Sequence, residues 1–208
     1  MDKTILTMEE YKRLIAEGKK KRIAKIEDAL NSKDYTTAAH YIDMADNWEH
    51  EQQALLLLYA DRIEDPKILF HLIMEVYTND GYNFPKKIIQ KAKRIAKEIP
   101  QEERLSGLPA GDVITIYRGA SKIYPGDYMR LRTAISWTTN KACAVWFANR
   151  RNGVVWKGTI DRNKIIAYTN DRNEYEIIQH MNVKNPHICK IDPKEWKLLL
   201  NERNERVY

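Results

Sequence analysis

Apolar residues in the first hundred positions recur at spacings of three and four, the period of one helical face. Met8, Tyr11, Leu14 and Ile15 form one such stripe, and Ile23, Ile26 and Leu30 form another. A turn-like NSKD at 31–34 separates these from Ala38, Ala39, Tyr41, Ile42 and Ala45, and the stretch 47–51 reads as a further boundary. ALLLLYADRI is the most apolar helix candidate. Pro66 opens PKILFHLIMEVY, TNDGYNFP supplies a loop, and Pro85 opens a last helix with Ile88, Ala92, Ile95, Ala96 and Ile99 on one face. Proline suits these starts because the first turn of a helix has no partner for the N–H that proline lacks. The pattern predicts an N-terminal helical bundle.

Past Pro100 the period changes from three or four to two. QEERLSGLPAGD is rich in charge, Gly and Pro, and the segments after it favour β-branched and aromatic residues. Strands are predicted at 113–119, 134–139, 153–160, 164–169, 174–179 and 187–191. Two helices interrupt them, NKACAVWFANR with Asn140 as N-cap and DPKEWKLLLNER with Asp192 as N-cap and Pro193 at its first position. The expectation is an α+β chain, with a helical domain over 1–105 and a β-rich domain over 106–208 built from packed sheets with few helices.

Charge sharpens this division. The formal net charge is +6, and residues 106–208 carry 17 Lys+Arg against 10 Asp+Glu, whereas residues 1–105 carry 18 against 19. A basic β-rich half suits an anionic ligand such as a dinucleotide, an acidic protein or nucleic acid, or only a solubilised surface. No run approaches the roughly 18 apolar residues of a membrane helix, and the start has acidic residues where a secretory signal would be apolar, so a cytoplasmic protein is expected. Cys143 and Cys189 lie in apolar segments without partners at metal-ligand spacing, which argues for buried thiols rather than a disulfide or zinc site. His40, His50 and His71 fall on helices and suggest no catalytic grouping.

Three features of the β-rich half follow one another in order: Tyr117-Arg118-Gly119 closing a strand, Ser136-Trp137-Thr138 before a helix carrying Ala144 to Ala148, and Glu174-Tyr175-Glu176-Ile177-Ile178. Alternation places Ser136 and Thr138 on one side of their strand and Glu174 and Glu176 on one face of theirs, roughly 7 Å apart. Two carboxylates so close are costly unless something cationic or reactive sits between them. The ordered set, spanning about residues 112–192, resembles the mono-ADP-ribosyltransferases of the R-S-E class.

That resemblance implies two packed β-sheets and a site that cleaves the nicotinamide-ribose bond of NAD, the co-substrate, without a metal. Arg118 would hold diphosphate or ribose oxygens through paired charge-assisted hydrogen bonds. Gly119 would let main chain approach the nicotinamide. Ser136 would hydrogen-bond the catalytic Glu176 and fix it, with Thr138 completing the strand motif. Glu176 would stabilise the oxocarbenium-like state, and Glu174 would draw a proton from the acceptor. Such Glu-x-Glu pairs point first to an arginine of a protein as acceptor, with water or nucleic acid as alternatives. Trp137 departs from the small polar residue usual between the two hydroxyls.

The same resemblance leaves intracellular toxins, phage host-modifying enzymes and inhibitors of bacterial immunity equally in view. Against it stands a non-catalytic interaction protein, favoured by a helical half without catalytic motifs. Read singly, Arg118 is a strand-end surface residue, Ser136 and Thr138 reflect strand propensity, and the glutamates guard an edge strand. Trp146 reads as core packing, and Phe147 and Trp156 are open to stacking on a ligand.

Overall fold

A computed structural model describes residues 7–46, 50–79, 84–121, 134–170 and 172–205. Residues 47–49 of the boundary expected at 47–51, the loop residues 80–83 and the Tyr11 side chain lie outside the described residues. Two compact units divide the chain, Met1–Ile89 and Gln90–Tyr208.

The first unit is helical. Its first two apolar stripes lie on one helix, α1 (Met8–Asn31), because Gly18 alone, at about 1 kcal/mol, does not interrupt it. Thr7 and Glu10 close its start as a reciprocal pair, the Thr7 hydroxyl accepting from the Glu10 N–H at 3.2 Å and the Glu10 carboxylate from the Thr7 N–H at 2.8 Å. Met8, Leu14 and Ile15 are nevertheless exposed. Then come α2 (Tyr35–Asp43), capped by Asp34, and α3 (Glu51–Tyr59). Helix α4 (Pro66–Asn79) opens on its proline, with Asp65 accepting from the Ile68 N–H at 2.9 Å. Helix α2 lies against α1, α3 and α4. Ile26, Ile42, Leu56, Phe70, Ile73 and Val76 fill the interior. No described helix is long and apolar enough to cross a membrane.

Helix α5 (Lys86–Ile95) runs across the division into the second unit. Composition placed the change at 105, but the stretch before it is tied to the β-rich part. Lys93 donates to the His180 carbonyl at 3.2 Å, and Arg104 of the short α6 (Gln101–Arg104) donates to the carbonyls of Ile165 and Ile166. Leu105 and Leu108 are buried in the core of the sheet.

Six strands follow: β1 (Val113–Ala120), β2 (Ser136–Thr138), β3 (Val154–Asp161), β4 (Ala167–Thr169), β5 (Glu176–Ile178) and β6 (Lys184–Ile188). Helix α7 (Lys141–Arg150) joins β2 to β3, and α8 (Pro193–Glu205) ends the unit. Both predicted caps are in place, Asn140 accepting from the Cys143 N–H and Asp192 from the Lys194 and Glu195 N–H groups. A strand was expected over 164–169; Lys164 instead closes a 3₁₀ turn, Arg162–Lys164, and β4 begins at Ala167, while the strand expected over 187–191 lies earlier, at Lys184–Ile188.

Where two packed sheets were expected, the described strands form one antiparallel sheet in the order β4-β5-β2-β1-β3-β6. Its two halves differ in how firmly they join. β1 and β3 pair along eight residues, whereas β1 and β2 register at Tyr117 and Thr138. One face packs Ile114, Ile116, Trp137, Trp156, Ile160 and Ile177. The other packs α7 and α8 through Ala144, Val145, Ala148 and Val155, with Tyr117, Trp196 and Leu199 against them.

Candidate active site

Strand β1 alternates buried Ile114 and Ile116 with exposed Val113 and Thr115, and that period sets where Arg118 goes. Arg118 stands opposite Trp156 on β3, on the side of Ile116. From there its Nη1 donates to the Ser136 main-chain carbonyl, so the arginine spans the joint between the two halves of the sheet. Gly119 faces the other way. A Cβ there would overlap the Ala144 carbonyl oxygen and come within 2.5 Å of the Ala148 nitrogen. The missing side chain makes room for helix α7, where the resemblance had a ligand approaching.

Strands β2 and β5 pair Ser136 with Ile178, Trp137 with Ile177 and Thr138 with Glu176. Trp137 and Ile177 enter the apolar core, which turns Ser136, Thr138 and Glu176 to the opposite face. Thr138 is therefore the hydroxyl directly across from Glu176. Ser136, the expected partner of that glutamate, sits one diagonal step away on the same face. The Thr138 hydroxyl is engaged by main chain: it donates to the Glu174 carbonyl at 2.6 Å and accepts from the Asn140 N–H at 3.0 Å. It ties the glutamate-bearing loop to the start of α7.

The strand expected over 174–179 begins only at Glu176. Asn173 and Tyr175 both take left-handed backbone, with φ of 54° and 52°, so plain alternation does not relate Glu174 to Glu176. The two carboxylates converge nonetheless, on Arg172. Its Nη2 is 3.4 Å from Glu174 Oε2 and 3.6 Å from Glu176 Oε2. Glu176 is buried, and the Glu174 side chain is 22% exposed. Burial pushes the Glu174 carboxyl above its ordinary value, the Arg172 charge opposes this, the neighbouring Glu176 adds to it, and Arg203 opposes it less.

The structure thus gathers Ser136, Thr138, Glu174 and Glu176 on one face, whereas alternation along β1 sets Arg118 on the other, from where it reaches the Ser136 main-chain carbonyl. Two cations join that the motif reading did not include. Arg172 was visible in DRNEYE as a charge two residues before the first glutamate. Arg203 was not, since it arrives from α8; it is 4% exposed and donates to the carbonyls of Asn173 and Arg172 at 2.5 and 3.4 Å. Arg203 and Arg150 also flank Trp146, their guanidinium carbons 5.8 and 4.6 Å from its ring centre, and Phe147 meets that ring edge-on. Trp146 and Phe147 are thereby accounted for by protein contacts, and Trp156 is buried in the sheet.

Among the described residues no group of three or more His, Cys, Asp or Glu side chains is disposed to hold a metal ion. Cys143 is buried, which pushes its thiol up to about 11, and Cys189 is partly exposed. The chemistry available is that of two adjoining carboxylates, one with a raised proton affinity, beside hydroxyls and a permanent cation. Such a set can bind a guanidinium, stabilise positive charge on a sugar and accept a proton. No protein-family model, curated protein or solved structure matches the chain.

Proposed function

We propose that the β-rich half is an NAD-dependent mono-ADP-ribosyltransferase that transfers ADP-ribose to a macromolecular acceptor, first an arginine side chain of a protein. The observation carrying this reading is the meeting of Glu174 and Glu176 at one guanidinium, beside the strand of Ser136 and Thr138. Leaving groups depart from the ribose carbon through an oxocarbenium-like state, and a buried carboxylate held next to it supplies the charge that state needs. Glu176 takes that role. Glu174, whose proton affinity burial raises, is the better base for a guanidino proton. Arg118 braces the strand of Ser136 from the other face of the sheet, and its part in holding the diphosphate is what the resemblance implies.

By this reading NAD is the co-substrate and no metal takes part, and the two halves of the sheet, joined at Tyr117 and Thr138, correspond to the paired sheets of such enzymes. The helical first unit would recognise the acceptor, in a cytoplasmic setting.

The test is incubation of the chain with labelled NAD and a cell lysate, with released nicotinamide measured alongside. Label on a protein band and nicotinamide release, both lost in Glu176→Gln, are expected. Label incorporation unaffected by that substitution would remove the site assignment. Nicotinamide release without label on any macromolecule would leave water as the acceptor, and label removed by nuclease would make the acceptor a nucleic acid.

A further inference from the structure

The loop before β5 already holds a guanidinium where an arginine acceptor has to enter. Arg172 places one nitrogen within 3.4 Å of Glu174 and 3.6 Å of Glu176, while its side chain is 49% exposed and theirs 22% and 6%. The arginine therefore reaches inward from the solvent side, and its tip lies where the two carboxylates converge.

This placement is not needed to hold the loop. The loop main chain is fixed by other groups: Arg203 at the carbonyls of Asn173 and Arg172, Asn170 at the N–H groups of Asn173 and Tyr175, and Thr138 at the carbonyl of Glu174. With the backbone secured from these three directions, the Arg172 side chain is left to the carboxylates. Arg172 is the exposed partner of this pair, and its long stem lets the charged end swing out to solvent while the carboxylates stay in place. It occupies the site as an acceptor would, and an incoming guanidine has to displace it.

We propose that Arg172 is itself an acceptor, taking ADP-ribose within the same molecule when no outside guanidine has displaced it. The proposal rests on the transferase reading above. In the step, a guanidino nitrogen of Arg172 bonds to C1′ of the nicotinamide ribose. The C1′–N bond breaks with its electron pair going to the ring nitrogen, which leaves as neutral nicotinamide. The proton lost by the attacking nitrogen passes to the Glu174 carboxylate and on to solvent, and the substituted guanidinium remains cationic. No oxidant or further reactant enters. The carboxyl of Glu174, raised by burial, is suited to that proton. The product sets an anionic diphosphate beside Glu174 and Glu176 and closes the acceptor path, so the reaction limits itself.

The test is incubation of the full chain with NAD alone, followed by intact mass and peptide mapping, with nicotinamide release followed in parallel and agmatine, a small soluble guanidine, as competing acceptor. One ADP-ribose on the peptide containing Arg172 is expected. The modified fraction should grow at a rate independent of protein concentration, fall as agmatine is added, and be lost from that peptide in Arg172→Lys. Nicotinamide release and modification of agmatine with Arg172 untouched would overturn the proposal while leaving the transferase reading standing. Absence of both nicotinamide release and NAD binding would overturn the two together. Mapping of the unsubstituted chain decides the matter even if Arg172→Lys fails to fold.

Discussion

The Arg203 guanidinium donates to the Asn173 carbonyl at 2.5 Å, so a buried cation from the last helix holds the loop that carries Glu174. A buried charge with main-chain partners is costly to remove, because the carbonyls it satisfied are left without a donor. Arg203→Met should lose about 2 kcal/mol of stability, read as a lower urea midpoint. It should also lower the rate of nicotinamide release at saturating NAD, since the glutamate it positions moves. Arg203→Lys, which keeps the charge but not the fork, should recover the stability in part. Unchanged stability in the methionine variant would show that the loop is held without this residue.

Glu174 gives the fold a pH dependence of definite sign. Burial is the largest influence on it and raises its pKa in the folded chain. For a raised group the stability is whole below the unfolded carboxylate range and is lost as pH climbs through the folded pKa. Above the folded pKa the charge of the half-buried Glu174 is therefore a burden. Glu174→Gln should melt higher than the unsubstituted chain at pH 7, and the difference should shrink towards pH 4. A difference that grew on acidification would mean that the ion pair with Arg172 outweighs burial.

Much of this was open to reading from the chain, for identifiable reasons. Among the described residues the strands expected over 113–119, 134–139 and 153–160 lie on β1, β2 and β3, where alternation such as that around Ile114 marks a half-buried sheet, whereas those expected over 164–169, 174–179 and 187–191 overlap β4, β5 and β6 only in part. Asn140 and Asp192 announced their helices through side-chain chemistry that acts within three residues. Register was not legible. Alternation fixes which face Ser136 occupies, but nothing local decides that Thr138 rather than Ser136 stands opposite Glu176. Nor does Tyr175 signal left-handed backbone, since an aromatic adopts it only when its surroundings impose it. Arg203 reaches the site from 30 residues beyond Asn173, a distance that no motif window spans.

Gly119 separates packing from ligand approach. Its Cβ position is filled by the backbone of α7, which cannot give way as a flexible side chain could. Gly119→Ala should destabilise the second unit by about 2 kcal/mol or more, through overpacking between β1 and α7. Thermal denaturation reads this directly. Full stability with weakened NAD binding would return the glycine to the role of a ligand contact.

The register between β2 and β5 assigns different consequences to the two hydroxyls of the Ser-x-Thr strand. Thr138 is 7% exposed, and its hydroxyl satisfies both the Glu174 carbonyl and the Asn140 N–H. Thr138→Val keeps the shape but leaves both without a partner, which costs about 2 kcal/mol. Ser136 is half-buried on the same face, and its main chain, not its hydroxyl, receives Arg118. Ser136→Ala therefore leaves the Arg118 contact intact and should hold stability within about 0.5 kcal/mol. If its hydroxyl orients Glu176 diagonally, nicotinamide release should nevertheless fall about tenfold or more. Parallel urea melts and nicotinamide assays on the two variants decide it: a stable, slow Ser136→Ala beside an unstable Thr138→Val supports the division. An active Ser136→Ala would leave Thr138 as the only hydroxyl of that strand with work to do at the glutamates.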